Sequence, residues 1–163
     1  SLDMGPMVNL QGQQHAQKMV DETIKAGGKL LLGGKAVQGK GHYFEPTVIA
    51  DVSNDMAILR EEIFAPVIPV ATFDTVDEVI QLANDCEYGL TSSVYTQNIN
   101  KAMKVISRLK FGETYVTREN FEAMQGFHAG WRKSGIGGAD GKHGLEEYLQ
   151  THVVYLQYDQ EIN

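Results

Sequence analysis

The sequence predicts an α/β fold in which a mainly parallel sheet has helices on both faces. The main observation is the order of elements between Val67 and Val116, where apolar runs of strand length alternate with segments of helical periodicity. Strands connected through helices in this way are normally parallel neighbours. The length of 163 residues and the hydrophobic fraction of 42% also fit a soluble globular domain with one core.

The first third of the chain predicts one helix and two strands. Apolar residues recur every three or four positions from Leu10 to Lys25, which predicts a helix. Gly27 and Gly28 are expected to end it, because glycine adopts the left-handed backbone conformation at little cost. A short buried strand at Leu30–Leu32 and a second strand at Thr47–Ala50 follow, with a loop rich in glycine and lysine between them.

The next two elements are a strand and a capped helix. The run Val67–Phe73 predicts a strand, but Pro69 places it at a sheet edge or a bulge, because proline cannot donate a ladder hydrogen bond. The sequence Thr75–Glu78 has the pattern of a capping box and therefore predicts a helix that begins at Val76.

The last part of the chain alternates in the same way. Asn98 is expected to cap a helix that lies between the strands Ser92–Tyr95 and Thr114–Val116. The apolar residues of this helix are expected to form one face, namely Ile99, Ala102, Met103 and Ile106. A short helix is predicted at Leu145–Leu149 and a final strand at Val153–Tyr158. Because this last strand is apolar at consecutive positions, we expect it to pair with the edge of another sheet.

Composition argues against two classes of partner. The formal net charge of −7, without a clustered basic face, argues against nucleic acid. No apolar run approaches the roughly 20 residues needed to span a bilayer, and the first residues lack the pattern of a signal peptide. The single cysteine excludes an internal disulfide and fits a reducing compartment, so a cytoplasmic location is expected.

The lone cysteine, Cys86, is expected to be structural rather than catalytic. It lies near the C-terminal end of a predicted helix and between Asp85 and Glu87, and all three features disfavour a thiolate. The five histidines lack metal-binding spacing, so no metal site is predicted.

The segment Arg60–Val67 has two interpretations. It could be a solvated acidic loop with one buried aromatic, which the residues alone favour. Alternatively, a carboxylate could accept two hydrogen bonds from a vicinal diol such as a ribose, with Phe64 lying against a flat ring.

A second candidate site lies further along the chain. Glu122 and His128 stand among large apolar side chains, namely Phe121, Met124, Phe127 and Trp131. Ionisable groups in such surroundings are costly unless they have partners. Either the segment is exposed and these groups are solvated, or they point into a pocket and bind a polar ligand, and the residues alone do not decide between the two.

Several separated motifs, in order, resemble the C-terminal part of the aldehyde dehydrogenase superfamily. Glu61–Val67 resembles the family's EEIFGPV, with Ala65 in place of the glycine, and Phe127–Gly137 resembles PFGGxKxSGxG at the same spacing. Met4–Pro6 and Asn84–Thr96 resemble two further family segments, and the resemblance covers nearly the whole chain.

The resemblance implies an NAD-dependent enzyme and assigns its site residues. Glu62 would bind the nicotinamide ribose and Phe64 would pack on the nicotinamide side. Arg118–Trp131 is similar to the group whose members oxidise lactaldehyde and glycolaldehyde, in which Glu122, Phe127 and His128 would lie in the substrate pocket. Thr117 stands where an asparagine is usual.

The family's cysteine nucleophile and glutamate base belong to motifs that this chain lacks, of the types VFxNxGQxC and ELGGK. The resemblance therefore implies a partial catalytic domain at residues 3–151, a terminal oligomerisation strand and tail at 152–163, no catalytic residue, and an isolated chain that is inactive. A homo-oligomer and a small aldehyde substrate are the expected partners. The alternative is a non-catalytic α/β assembly module that pairs through its last strand.

Overall fold

The computed structural model describes residues 4–158 and shows an α/β chain with two compact units. Unit 1 comprises residues 1–86 and unit 2 comprises residues 87–163. Residues 4–158 contain four α-helices and seven short strands. Among these described residues, no helix combines the length and the apolar character that crossing a membrane requires.

The first helix of unit 1, α1, spans Leu10–Lys25, which are the predicted bounds. The Asn9 side chain accepts a hydrogen bond of 2.8 Å from the backbone N–H of Gly12 and so caps the first turn. Gly27 follows the helix in the left-handed region at φ +109°, as expected of a glycine at a helix end.

A three-stranded sheet follows in the order β1–β2–β3. Its strands are β1 (Lys29–Leu32), β2 (Thr47–Ala50) and β3 (Val67–Pro69). The β1–β2 pair is antiparallel and the β2–β3 pair is parallel. The prediction of a buried strand at Leu30–Leu32 is wrong on burial: β1 is an edge strand, and all four of its residues are exposed.

Of the remaining elements of unit 1, the start of α2 is as predicted and the end of β3 is not. Helix α2 spans Val76–Asn84, and Thr75 and Glu78 form the predicted capping box. The β3 strand ends at Pro69, whereas the sequence predicts a strand to Phe73.

The core of unit 1 lies between α1, the sheet and a short 3-10 helix at Ala57–Leu59. Its buried apolar residues are Ala16, Met19, Val20, Phe44, Ile49, Val52 and Ile58. The helical stripe of α1 therefore packs as its periodicity predicts.

Unit 2 begins with a strand–helix–strand segment. The parallel strands β4 (Thr91–Val94) and β5 (Glu113–Val116) are connected through α3 (Ile99–Ile106), which Asn98 caps. The predicted apolar face of α3 is largely wrong. Ala102 and Val105 are buried, whereas Ile99 and Met103 are exposed.

The rest of unit 2 contains a small antiparallel pair and one helix. Strands β6 (His128–Ala129) and β7 (Gly138–Ala139) precede α4 (Gly141–Glu146), which starts four residues earlier than predicted. Residues 151–158 form no helix or strand, so the predicted strand at Val153–Tyr158 is not formed within this chain. A strand needs a neighbouring ladder, and none pairs with these residues.

The prediction of one mainly parallel sheet also needs correction. The described strands form three small sheets, with two parallel and two antiparallel pairs of neighbours. The alternation of strands and helices correctly predicts the α/β class and the parallel β4–β5 pair. It does not reveal which strands share a sheet, because that depends on contacts between residues far apart in the sequence.

Candidate functional site

Unit 2 brings together two carboxylates and one imidazole. The Nδ1 atom of His128 lies 3.2 Å from Oε2 of Glu113 and 3.5 Å from Oε1 of Glu122. We call these three residues the acid–histidine cluster. The Glu113 side chain is 14% exposed, that of His128 31% and that of Glu122 43%. Glu113 is therefore the innermost of the three groups and Glu122 the most accessible.

Glycines allow the strands that carry this cluster to approach closely. A Cβ atom on Gly112 would lie 1.6 Å from the carbonyl oxygen of Ala129, the residue after His128. On the facing strand, a Cβ on Gly138 would lie 2.3 Å from the carbonyl oxygen of His128. Any larger residue would push these strands apart, so the glycines set the position of His128 next to β5.

Glu113 has a further partner on its own strand. The Tyr115 hydroxyl donates a hydrogen bond of 2.7 Å to Oε2 of Glu113. This carboxylate, together with burial, raises the pKa of Tyr115 to about 12. The guanidinium of Arg118 lies over the Tyr115 ring, 5.6 Å from its centroid, and opposes that shift. Tyr115 is therefore a neutral hydrogen-bond donor at physiological pH.

The loop that carries Glu122 is attached to the β4 side of the unit by hydrogen bonds. The Thr117 hydroxyl donates to the carbonyl of Thr96 at 3.0 Å, and the Asn120 side chain donates to the hydroxyl of Thr91 at 3.0 Å. Thr117 has a φ of +53°, which is strained for a β-branched residue. Glu122 is thus presented from a loop with defined anchor points.

Phe127, the third predicted substrate residue, contacts a different element. Its ring centroid lies 5.4 Å from that of His143 on α4. Together with Glu146, Glu147 and Leu149, these two rings line an open pocket of about 430 Å³. Of the three predicted substrate residues, Glu122 and His128 therefore lie next to each other, whereas the ring of Phe127 contacts His143 on α4.

The predicted cofactor residues, Glu62 and Phe64, lie in unit 1 on the turn between the 3-10 helix and β3. Both are exposed, and the Phe64 side chain is 79% accessible with a φ of +52°. The interpretation of this segment as a loop with one buried aromatic is therefore wrong. An exposed aromatic in a strained backbone conformation is a feature found at ligand sites.

Cys86 is half-buried and directly follows Asp85, the residue that caps the C-terminal end of α2. Asp85 is paired with Arg60 at 2.7 Å, and this hydrogen bond holds the pKa of the Asp85 carboxyl below its usual value. The structural role expected of Cys86 stays a prediction.

The acid–histidine cluster is also the one group of described residues that could hold a metal ion. Its nitrogen and oxygen ligand atoms all lie within 4.8 Å of one another. Sequence spacing could not reveal this group, because its members come from a strand, a loop and a second strand.

Sequence reasoning missed Glu113 and Tyr115. Both lie on β5 two positions apart and therefore on the same face of the strand, and Glu113 directly follows Gly112. The predicted strand began at Thr114, one residue too late to place Glu113 on that face. Extending the strand back to the glycine would have placed Glu113 and Tyr115 side by side.

Comparison with known proteins gives a consistent result. The profile of the aldehyde dehydrogenase family matches residues 1–154. The chain is 62% identical over 154 residues to lactaldehyde dehydrogenase of Escherichia coli (strain K12), covering 94% of this chain and 32% of that protein. It is 44% identical over 161 residues to 3,6-anhydro-alpha-L-galactose dehydrogenase of Vibrio sp. (strain EJY3), covering 96% and 34%.

Solved structures agree with these sequences. A crystal structure of lactaldehyde dehydrogenase from Escherichia coli matches with a TM-score of 0.94 at 61% identity, over 97% of this chain and 33% of that one. The NAD⁺ complex of an aldehyde dehydrogenase from Bacillus cereus matches with a TM-score of 0.85 at 38% identity, over 90% and 30%. The chain thus spans about a third of the length of the curated relatives it matches.

Proposed function

The chain belongs to the aldehyde dehydrogenase family, and we propose that it forms the C-terminal part of an NAD-dependent enzyme that oxidises a small 2-hydroxyaldehyde to the acid. Lactaldehyde and glycolaldehyde are the proposed substrates. The proposal includes a cytoplasmic location, which the single cysteine supports.

The observation that carries this proposal is that Glu122 and His128 lie next to each other in unit 2. A hydroxyl both donates and accepts hydrogen bonds, and a carboxylate next to an imidazole offers groups suited to a hydroxyl substituent. Glu122 is the accessible carboxylate of the cluster and is therefore available to a ligand, while His128 lies 3.5 Å from it. The relative with 62% identity is a lactaldehyde dehydrogenase, whose name refers to an aldehyde with such a hydroxyl.

We assign the cofactor contacts to Glu62 and Phe64. An exposed carboxylate two residues before an exposed aromatic fits a nucleotide whose ribose carries vicinal hydroxyls next to a flat nicotinamide ring. Glu62 would accept hydrogen bonds from the ribose hydroxyls, and Phe64 would lie on the nicotinamide side. When bound, NAD supplies the acceptor for the hydride that leaves the substrate carbon.

The isolated chain should not oxidise aldehydes. The family chemistry needs a cysteine thiolate and a glutamate base, and neither the VFxNxGQxC nor the ELGGK type of motif occurs in the 163 residues. Cys86 does not match the nucleophile motif. In this proposal the chain contributes the recognition of substrate and cofactor, and other regions of a longer protein contribute the reacting groups.

The substrate assignment can be tested with two aldehydes that differ by one hydroxyl. In the full-length protein containing this segment, Glu122→Gln and His128→Phe should lower kcat/KM for lactaldehyde by about tenfold or more, because the hydroxyl of the bound substrate loses a hydrogen-bond partner. The same variants should change kcat/KM for propanal, which lacks the hydroxyl, by less than about threefold.

The matched control for this experiment is Glu119→Gln, which alters an exposed carboxylate of the same loop and should leave both rates unchanged. Equal losses for the two aldehydes would contradict hydroxyl recognition by these residues. NADH formation from lactaldehyde by the 163-residue chain alone would contradict its proposed inactivity.

We also propose that residues 153–158 mediate homo-oligomerisation. Val153, Val154, Tyr155 and Leu156 are exposed by 63–94% although they are apolar or aromatic, and an unpaired apolar segment of this kind can add to a sheet edge. Light scattering on the chain and on a version that ends at Thr151 tests this proposal. An unchanged mass after truncation would rule out assembly through this segment.

A further inference from the structure

One member of the acid–histidine cluster has no part in the proposed recognition of substrate. Glu113 lies at the start of β5, and its side chain is 14% exposed, compared with 43% for Glu122. A carboxylate buried to this extent is costly unless its oxygens accept hydrogen bonds. The burial of Glu113 therefore requires partners for its oxygens, whereas Glu122 is accessible enough to be solvated.

The contacts of Glu113 show which groups it serves. Its Oε2 atom accepts the hydrogen bond from Tyr115 at 2.7 Å and lies 3.2 Å from Nδ1 of His128. A carboxylate oxygen can accept two hydrogen bonds. One oxygen of Glu113 can therefore hold both the phenol proton and a proton on the imidazole.

His128 has a buried nitrogen that needs such a partner. Nδ1 is inaccessible to solvent, and although both carboxylates lie within ion-pair distance, neither contact has the angles of a formed hydrogen bond. The carboxylate of Glu113 is the nearer of the two, so it is the better placed acceptor for a proton on Nδ1.

We propose that Glu113 is a positioning residue that holds the Nδ1 proton of His128 and thereby directs the opposite ring nitrogen, Nε2, toward the hydroxyl of the substrate. This inference rests on the proposed function, in which His128 contacts that hydroxyl. In a histidine, the hydrogen bond made by one ring nitrogen fixes which nitrogen carries the proton and how the ring is oriented.

The role of Glu113 also explains why two carboxylates lie next to one imidazole. Without Glu113, the only carboxylate near Nδ1 in the cluster would be Glu122, at 3.5 Å. His128 would then pair with Glu122 and occupy the group that the substrate hydroxyl needs. Glu113 leaves Glu122 available to the ligand, and Tyr115 holds Glu113 in place from the same strand.

The first test is spectroscopic and needs no substrate. In the ¹⁵N-labelled 163-residue chain, His128 should show a protonated Nδ1 whose hydrogen exchanges slowly with water. Glu113→Leu should abolish this signal, because the acceptor is lost, whereas Glu113→Gln should retain it, because the amide oxygen can still accept. Assignment of the signal is secured by its loss in His128→Gln.

The second test follows the phenol. Because Glu113 raises the pKa of Tyr115 to about 12, Glu113→Gln should lower the pH at which this tyrosine ionises. Ultraviolet titration with Tyr115→Phe as the reference isolates its contribution. An unchanged titration would show that the two side chains are not coupled, and the proposed support of Glu113 by Tyr115 would fail.

The third test is kinetic and uses the full-length protein. Glu113→Leu should lower kcat/KM for lactaldehyde by about tenfold, as is typical when a residue that orients a site ligand is removed, with a smaller effect on propanal. In Glu113→Gln, kcat/KM for lactaldehyde should stay within about threefold of the value for the unsubstituted protein. In Tyr115→Phe it should lie between the values for Glu113→Leu and Glu113→Gln. Glu87→Gln, which removes an exposed partner of Lys133 in the same unit, is the control.

The outcomes separate this inference from the proposed function. If Glu122→Gln does not change the preference for lactaldehyde but Glu113→Leu abolishes the Nδ1–H signal, the function fails and the positioning of the ring stands. If the signal survives in Glu113→Leu, the inference is overturned whatever the substrate. Should Glu113→Leu fail to fold, Glu113→Ala takes its place, and an Nδ1–H signal that survives in this variant would equally overturn the inference.

Discussion

The two units are organised by different interactions. Unit 1 has a cluster of seven buried apolar residues between a helix and a sheet, and its candidate cofactor residues lie on an exposed turn outside that cluster. In unit 2, the buried apolar residues among those described are Ala102 and Val105, and the hydrogen-bonded groups around His128 form the other organised region.

This difference predicts how substitutions should act. In unit 1, binding and stability should be separable, because Glu62 and Phe64 are exposed and contribute little to packing. In unit 2, site residues also contribute to the structure, so their removal should change both. Exposed apolar residues on α3, such as Ile99 and Met103, are of the kind that mark interaction surfaces.

The largest effect should come from the core of unit 1. Ile49 is fully buried in β2, and Ile49→Ala should lower the free energy of unfolding by about 3 kcal/mol through lost burial and a residual cavity. Hydrogen exchange of the β2 amides measures this change. The matched control is Ile68→Ala on the neighbouring strand, where the side chain is 61% exposed and the loss should stay below about 1 kcal/mol. Equal losses would show that burial does not distinguish the two positions.

The second effect tests the close approach of strands in unit 2. Gly112→Ala would place a methyl group 1.6 Å from the carbonyl oxygen of Ala129, so the strand must shift, at a cost of about 2 kcal/mol or more. The fluorescence of Trp131, which lies in this unit, follows its unfolding in urea. In Gly137→Ala the added carbon meets its nearest neighbour at 3.7 Å, and stability should hardly change. A Gly112→Ala variant as stable as the original chain would refute the tight approach.

A third prediction concerns the strained residue at the end of β5. Thr117→Asn should stabilise unit 2 by about 1 kcal/mol, since asparagine tolerates the left-handed region better than a β-branched residue. Thr117→Val keeps the strain and loses the hydrogen bond to Thr96, so it should destabilise by about 1 kcal/mol. Urea unfolding followed by Trp131 fluorescence should therefore rank the three proteins Asn, Thr, Val, and any other order would contradict this account of the strain.

The sequence predicted the parts of the fold that depend on local signals. The bounds of α1 and the caps by Thr75 and Asn98 are as predicted, because capping and helical periodicity involve residues a few positions apart. The exposure of β1 and of Ile99 and Met103 on α3 was not predicted, because burial depends on which other parts of the fold pack against a residue. An apolar pattern in the sequence shows that a strand or helix face could be buried, but it does not show that another element packs against that face.

The candidate site shows the same limit. Glu122 and His128 were singled out by their apolar surroundings and assigned a role by motif resemblance, and the structure places Nδ1 of His128 3.5 Å from Oε1 of Glu122. Glu113 was missed because it carries no motif and lies outside the predicted strand. Its role follows from the 3.2 Å distance between its Oε2 atom on β5 and Nδ1 of His128 on β6, and sequence periodicity does not predict such a contact. The positions of Glu62 and Phe64 on a turn were anticipated, whereas the exposure of Phe64 was not.

The smallest effect, and the one that contrasts the units most directly, is their response to pH. In unit 1, the hydrogen bond from Arg60 lowers the pKa of Asp85 below its ordinary value of 3.8. Because the folded-state pKa is the lower one, the contribution of this pair is complete above 3.8 and is lost as the pH falls through the folded-state pKa. In unit 2, Glu113 raises the pKa of Tyr115 from 10.0 to about 12. That contribution is complete below 10.0 and is lost as the pH rises through about 12.

Two variants separate these effects. Asp85→Asn should flatten the acid side of the stability profile, measured by urea unfolding between about pH 2 and pH 5, and Tyr115→Phe should flatten the alkaline side. The acid effect should be slight, because the Arg60–Asp85 pair is exposed and screened by solvent. If Asp85→Asn altered the alkaline limb, or Tyr115→Phe the acid limb, the assignment of the two pH responses to these separate contacts would be wrong. The pH at which each unit weakens thus reports whether an exposed ion pair or a half-buried phenol–carboxylate bond is being broken.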